Sequence, residues 1–262
     1  MDRQVRANAL VRATLSLGDA DLRARYVASV AQEAPTADLA QTLDVICERA
    51  EQAETAAREA LIAIVDALNA DGMEALIQRL REEAAGDSLL ALERLIRIPP
   101  RSRPTSTAPL RDPRVSHESE PRGRPVPLGE RKSLARRPDR DILQRMLRDP
   151  HPDVIRRCMT NPRLTEDDVI RLAARRPGHA DALAEIARSR WVRRPRVRMA
   201  LVMNPATPLE VVARLVGLLL RPALAMAAYS PGVAAPVRAL CLEHLVRRPP
   251  VAEPEPSEPE LQ

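Results

Sequence analysis

The sequence predicts an all-α protein in four parts. These are an N-terminal helical bundle over 1–98, a Pro/Arg/Ser-rich linker over 99–127, an array of short helical repeats over 128–248, and an acidic Pro/Glu tail over 249–262. Three observations carry that prediction. Hydrophobic residues make up 45% of the chain, yet it has no Phe, one Trp (Trp191) and two Tyr (Tyr26, Tyr229), so any core is built from Ala, Leu, Val, Ile and Met. Ala, Leu and Met favour helices, whereas strands bring aromatic and Thr-rich runs. Apolar residues recur at helical spacing across the first 98 positions. Beyond residue 128, proline-marked corners return about every forty residues.

Within 1–98 the first helix carries Val5, Ala9, Leu10, Val11, Ala13 and Leu15 and ends near Gly18. Asp19 or Asp21 caps the next, which sets Leu22, Tyr26, Val27 and Val30 on one face. A long helix is expected from Ala37 through Leu39, Leu43, Ile46 and Cys47. It continues across an Ala- and Glu-rich middle to Leu61, Ile62, Ile64, Val65 and Leu68. Asp71-Gly-Met-Glu74 has the form of a capping box, because a Glu three residues after the cap can answer the cap's own N–H. Gly86-Asp87 opens a last helix, Leu89–Ile96. In 99–127, eight of 29 residues are Pro and no apolar period remains, the composition of an extended spacer. Its hydroxyls Thr105, Ser106, Thr107 and Ser116 are either modification sites or plain parts of that spacer.

Three marker series define the repeat. Arg-Pro stands at 137, 176 and 221, and Asn-Pro at 161 and 204. Asp149-Pro150, Ser189-Arg190 and Ser230-Pro231 form the third series. A residue before proline is pushed out of the α region, so a helix ends there and the chain turns. Thr165-Glu-Asp-Asp168 and Thr207-Pro208-Leu209-Glu210 are helix starts with a capping Thr, and the second has Pro at the first helical position. They open helices over Glu166–Arg175 and Leu209–Leu220. Short helices carrying Ile155-Arg156, Val197-Arg198 and Val237-Arg238 precede the corners. The clearest unit is Arg194–Pro222: a short helix, an Asn-Pro corner, and a more apolar helix stopped by Pro222.

The phrases DPHPDVIRR, NPRLTEDDV, RPRVRMALVMNPATP and SPGVAAPVR, within 133–245, resemble the HEAT-like and leucine-rich-repeat-variant α-solenoids of bacteria. The resemblance covers a little under half of the chain and implies an α-solenoid that binds a partner along its surface. Some leucine-rich-repeat-variant proteins carry an iron–sulfur cluster, which needs clustered cysteines. Cys47, Cys158 and Cys241 lie far apart, so no cofactor is expected.

Catalytic patterns are sparse. Eight glycines leave little material for a phosphate loop, and there is no His-Glu-x-x-His and no Cys-x-x-Cys. Cys241-Leu-Glu-His244 offers two metal ligands at most, and is read as a buried thiol beside a surface histidine. Cys158 reads as a small core residue, and Glu166, Asp167 and Asp168 as first-turn acids on the helix dipole. The expectation is a protein without enzymatic activity.

Charge is divided unevenly. Residues 1–98 hold 11 Arg against 17 acids, −6, and residues 99–250 hold 30 basic against 15 acidic residues, +15. The candidate partner-binding residues are Arg156, Arg157, Trp191, Arg194, Arg196, Arg198 and Arg238, near helix starts and corners. The arginines either line one edge of the array or form a solvated face, and Trp191 either stacks on a ligand or fills the corner between two repeats. The function expected is a protein-interaction scaffold whose partner has an acidic surface. The alternative is a basic solenoid on a nucleic-acid backbone, with salt-sensitive affinity. MDRQVRANAL lacks an apolar signal core, and the run Leu215–Leu220 is far shorter than the ~20 residues that span a bilayer, so a cytoplasmic chain with no membrane partner is expected.

Overall fold

A computed structural model describes residues 2–97 and 126–250 of the 262-residue chain. The expected tail beyond Pro250, and the expected linker up to residue 125 with its four candidate hydroxyls, lie outside the described residues. The described residues form fifteen α-helices and one short 3-10 helix, with no strand among them. No helix among them is long and apolar enough to cross a membrane.

Six helices make the N-terminal half: α1 (Arg3–Ser16), α2 (Ala20–Glu33), α3 (Thr36–Glu51), α4 (Thr55–Leu68), α5 (Glu74–Gly86) and α6 (Leu90–Ile96). Helix α3 is central, packing on α1, α4, α5 and α6. Its buried Leu39, Ala40, Leu43, Ile46, Cys47 and Ala50 fall at the 3–4 spacing that keeps one stripe inward. Asp19, not Asp21, caps α2, accepting from the amides of Asp21 and Leu22. Helix α6 is capped from another element: Asp44 Oδ1 on α3 accepts from the N–H groups of Ala91 and Leu92, both at 2.9 Å.

Three expectations for this half are corrected. The long helix is two, because Ala53 adopts φ 67 and breaks it. Ala53 N–H reaches the Ala50 carbonyl and Glu54 N–H the Arg49 carbonyl, the paired bonds of a Schellman ending with Ala where Gly is usual. Asp71 caps nothing on α5, whose first turn starts at Met73 with no side-chain cap; Gly72 at φ 87 carries the turn. Gly86 closes α5 rather than opening α6, and the left-handed residue is Ser88, φ 55.

The C-terminal half holds α7 (Leu128–Leu134), α8 (Arg140–Met146), α9 (Pro152–Met159), α10 (Glu166–Ala174), α11 (Ala180–Arg188), the 3-10 helix Arg190–Arg193, α12 (Pro195–Met203), α13 (Leu209–Gly217), α14 (Arg221–Tyr229) and α15 (Ala235–Arg247). The chain runs up and down between two layers. In one, α10 packs on α12 and α12 on α14; in the other, α7 packs on α9, α9 on α11 and α13 on α15. One continuous apolar cluster from Ala135 to Cys241 fills the space between them. None of these helices is long enough to be stable alone, so burial of their apolar faces on neighbours sustains them.

The two Asn-Pro corners are built alike. Asn161 Nδ2 donates to the carbonyls of Ala135 and Arg137, while its Oδ1 accepts from Arg163 N–H. Asn204 does the same with the carbonyls of Ala173 and Arg175 and the amide of Ala206. Each buried Asn thus ties a corner to the C-terminal end of an earlier helix. Thr165 caps α10 as expected, and with Asp168 it forms a full capping box. Thr207 does not cap α13: it is buried and donates its hydroxyl to the Leu201 carbonyl, leaving Pro208 at the cap. The apolar helix also stops earlier than expected, at Gly217, and Pro222 lies in the first turn of α14.

Candidate interaction surface

The expected binding arginines do not form one free edge. Arg156 on α9 is held by Glu185 through Nε at 2.7 Å and Nη2 at 2.9 Å, with Asp71 at 3.5 Å. Arg194 approaches a half-buried Glu166 at 3.8 Å, and Arg196 approaches Asp167 at 3.1 Å in a fully solvent-facing pair. Exposed pairs of this kind contribute only about 0–1 kcal/mol. Arg198 is buried, so it is no part of a surface: Nη1 donates to the carbonyls of Val192 and Arg193 and closes the 3-10 helix. Its burial pulls its pKa down, against the attraction of Asp66. Arg157 and Arg238 are half-buried, with no carboxylate partner among the described residues. Trp191 packs against the core and donates Nε1–H to the Met159 carbonyl at 3.0 Å, while Arg190 lies over its ring at 5.3 Å.

What the structure brings together is the two halves. On the 3-10 helix, Arg193 reaches Asp66 of α4 at 2.5 Å and Asp21 of α2 at 2.6 Å. On α13, Arg214 Nε donates to Asn69 Oδ1 at 2.6 Å. Arg97, just past α6, meets Glu243 of α15 at 3.0 Å. Asp71 faces both Arg156 and Arg188. The apolar contact is close as well: Leu218 packs on the N-terminal core, and a Cβ on Gly217 would stand 3.1 Å from Leu95 Cδ1. The N-terminal half therefore covers the layer formed by α9, α11, α13 and α15.

A buried ionic group lies inside this contact. Arg94 and Glu51 form a paired fork, Nε to Oε1 at 2.8 Å and Nη2 to Oε2 at 2.5 Å. His244 Nδ1 sits 3.7 Å from Glu51 Oε1. The histidine is buried, contrary to its reading as a surface residue, because the layer bearing α15 is covered by α3 and α6. Burial, then the fields of Arg248, Arg94, Arg247 and Arg97, push its pKa down to about 3, so the ring is neutral. Cys241 and Cys158 are fully buried thiols pushed up to about 11 and about 12, chiefly by burial, and all three cysteines are free. Among the described residues no three His, Cys, Asp or Glu side chains converge as a metal site.

Asp168 is more than a first-turn acid. Burial alone would raise its carboxyl, but hydrogen bonds from Arg140, Thr165 and Gln144 hold it well below the usual carboxylate range. It joins the start of α8 to the start of α10.

Asp66, Asn69 and Arg214 were not singled out by sequence reasoning, and Asp21 only as a candidate helix cap. The signal that pointed toward them was the charge asymmetry between the halves, which calls for an acidic surface without saying that this chain carries one. Compared with protein families, with curated proteins and with solved structures, the chain matches none.

Proposed function

We propose that this protein is a non-catalytic, cytoplasmic interaction scaffold, in which a HEAT-like helical array recognises an acidic helical surface. One observation carries the reading: acids of the N-terminal half meet arginines of the array, Asp66 and Asp21 on Arg193 of the 3-10 helix and Asp71 facing Arg156 of α9 and Arg188 of α11. The partner chemistry is thus present in cis, and a partner in trans would offer the same acidic, helical face. The repeat assignment is supported by the matched Asn161 and Asn204 corners and the two-layer course of the chain. Three free cysteines, far apart in the sequence, are consistent with a reducing compartment.

The test is complementation. Residues 2–97 and 126–250, each with its own core, are expressed as separate chains and titrated by calorimetry. Binding is expected, with Arg193→Asp and Asp66→Arg each weakening it and the double exchange restoring it. Binding indifferent to both single changes would refute the reading.

A second reading, a nucleic-acid backbone on the array, is favoured by one edge. There Arg175 donates to the Leu147 carbonyl, and its pKa is lowered by burial and then by the charge of Arg148. A salt-dependent shift assay on the full chain decides it, since phosphate contacts weaken steeply between about 50 and 200 mM salt.

A further inference from the structure

The last two helices of the array leave an apolar face in solvent. The exposed positions of α14 are Pro222, Met226 and Tyr229. Those of α15 are Ala235, Ala239, Leu242 and Val246, with Arg247 to one side. Steps of three and four put each set on one stripe of its helix, and the two helices pack on each other, so the stripes adjoin. Val246 is 85% exposed, Tyr229 74% and Met226 63%. Single exposed apolar residues are ordinary, but two adjoining stripes of them mark an interaction site. The other end of the array is finished differently: α8 exposes Arg140, Asp141 and Arg145. Stacked helical arrays need a polar outer face on their terminal units, and α8 supplies one while α14 and α15 do not.

What covers the face follows from its pattern. Stacking the α14–α15 end of one copy on the α8 end of another would strip water from charged side chains against an apolar surface, which is costly. The twelve residues after Pro250 offer four Glu against the apolar Val251, Ala252 and Leu261, a poor match for an apolar face. The same face of a second copy does match. Positions 235, 239, 242 and 246 are spaced four, three, four, which reads the same in both directions. Two α15 helices packed antiparallel, with a two-fold axis between residues 240 and 241, set Ala235 against Val246 of the second copy and Ala239 against its Leu242. Small then meets large at every level, as close packing requires. The stripe is about 17 Å long, and two helices side by side are about 20 Å wide, a footprint of about 350 Å². That falls short of the ~800 Å² per partner of a standard interface, so the pair is reversible, dissociating at about 10–100 µM.

We propose that the α14–α15 face is a homodimer interface, in which two copies of this chain pack isologously with their α15 helices antiparallel. The stripe lies on the side of α15 away from His244, which meets Glu51 of α3, so the interface is independent of the contact between the halves.

Sedimentation equilibrium of the full chain, from about 1 to 500 µM, is expected to show monomer passing to dimer and no larger species. Val246→Arg should weaken the dimer at least about tenfold, and Ala235→Glu several-fold. The double variant should recover most of the loss, because each new Glu meets the new Arg of the other copy. Within one helix the two positions are about 16 Å apart, too far to pair, so the recovery reads the antiparallel register. Both positions are exposed, and circular dichroism should show every variant folded. Tyr229→Glu, on the other helix, should weaken the dimer as well. A chain that stays monomeric, a dimer indifferent to Val246→Arg and Tyr229→Glu, or a folded double variant no better than Val246→Arg overturns the proposal. So does growth beyond the dimer, which means head-to-tail stacking. Dimers that form only after removal of residues 251–262, which mean that the tail covers the face, overturn it too, as does a monomer that sediments with phosphatidylcholine vesicles unless Val246 is changed.

Discussion

Arg193 places its Nε 2.5 Å from Oδ2 of Asp66, a residue 127 positions earlier in the chain. Asp66 is 8% exposed, and burial raises its carboxyl above the ordinary range while the Arg193 bond opposes that rise. The arginine therefore offsets part of the cost of burying that carboxylate. Arg193→Met should destabilise the chain by about 3 kcal/mol, the usual loss when one partner of a buried pair is removed. Asp66→Asn combined with Arg193→Met should recover much of that loss. Urea unfolding of the single and double variants measures both.

His244 makes stability fall in acid. Its pKa is lowered from 6.5 to about 3 in the fold, so between those values the unfolded chain binds the extra proton and acid favours unfolding. The groups facing it are Glu51 of α3, Arg94 and Arg97 at α6, and Arg247 and Arg248 on its own side; Glu51 is already taken by Arg94. Going from pH 7 to pH 5 should cost about 2 kcal/mol through this one ring. His244→Leu should flatten that part of the pH–stability curve, read from thermal melts across the range.

The left-handed Ala53 is a local liability. Glycine adopts φ 67 without a Cβ penalty, so Ala53→Gly should stabilise the Schellman ending by about 0.5–1 kcal/mol. The same argument applies to Ser88→Gly. A rise in the urea midpoint without a change in slope confirms it.

Asn161 and Asn204 should be equivalent in their consequences. Each is buried and satisfies two carbonyls and one amide. Replacement by Ala should cost about 2–3 kcal/mol at either site, because buried polar groups lose their partner. Replacement by Asp should cost more, since a carboxylate would face two carbonyl oxygens. Calorimetric melting of the four variants tests the equivalence, and a large inequality would argue against a shared corner design.

Much of the helical order was legible because its determinants are local. The 3–4 apolar spacing of α3, the Thr165–Asp168 box and the Asn-Pro corners all act within a few residues or recur at a fixed step. The misplaced ends have equally local reasons of a kind that composition hides. An alanine does a glycine's work at residue 53, and Thr207 prefers the Leu201 carbonyl to the amides of α13. The surface arginines were harder to judge. Whether Arg198 faces solvent or closes a 3-10 helix, and whether His244 is wet or covered, depends on which element packs over it. The cap that Asp44 gives α6 joins residues nearly fifty apart, and no pattern in either segment announces it.

The docking of the N-terminal half changes how the array can come apart. A stack of short helices joined by neighbour contacts behaves as a one-dimensional chain of links, able to fray unit by unit. Here a single body grips that stack from Asp71 beside α9 to Arg97 beside α15, bracing links that do not touch each other. Opening any braced link also loosens the brace on the others. The covered layer consequently gains a cooperativity that its own neighbour contacts do not supply, and melting that begins in the array must first break the grip.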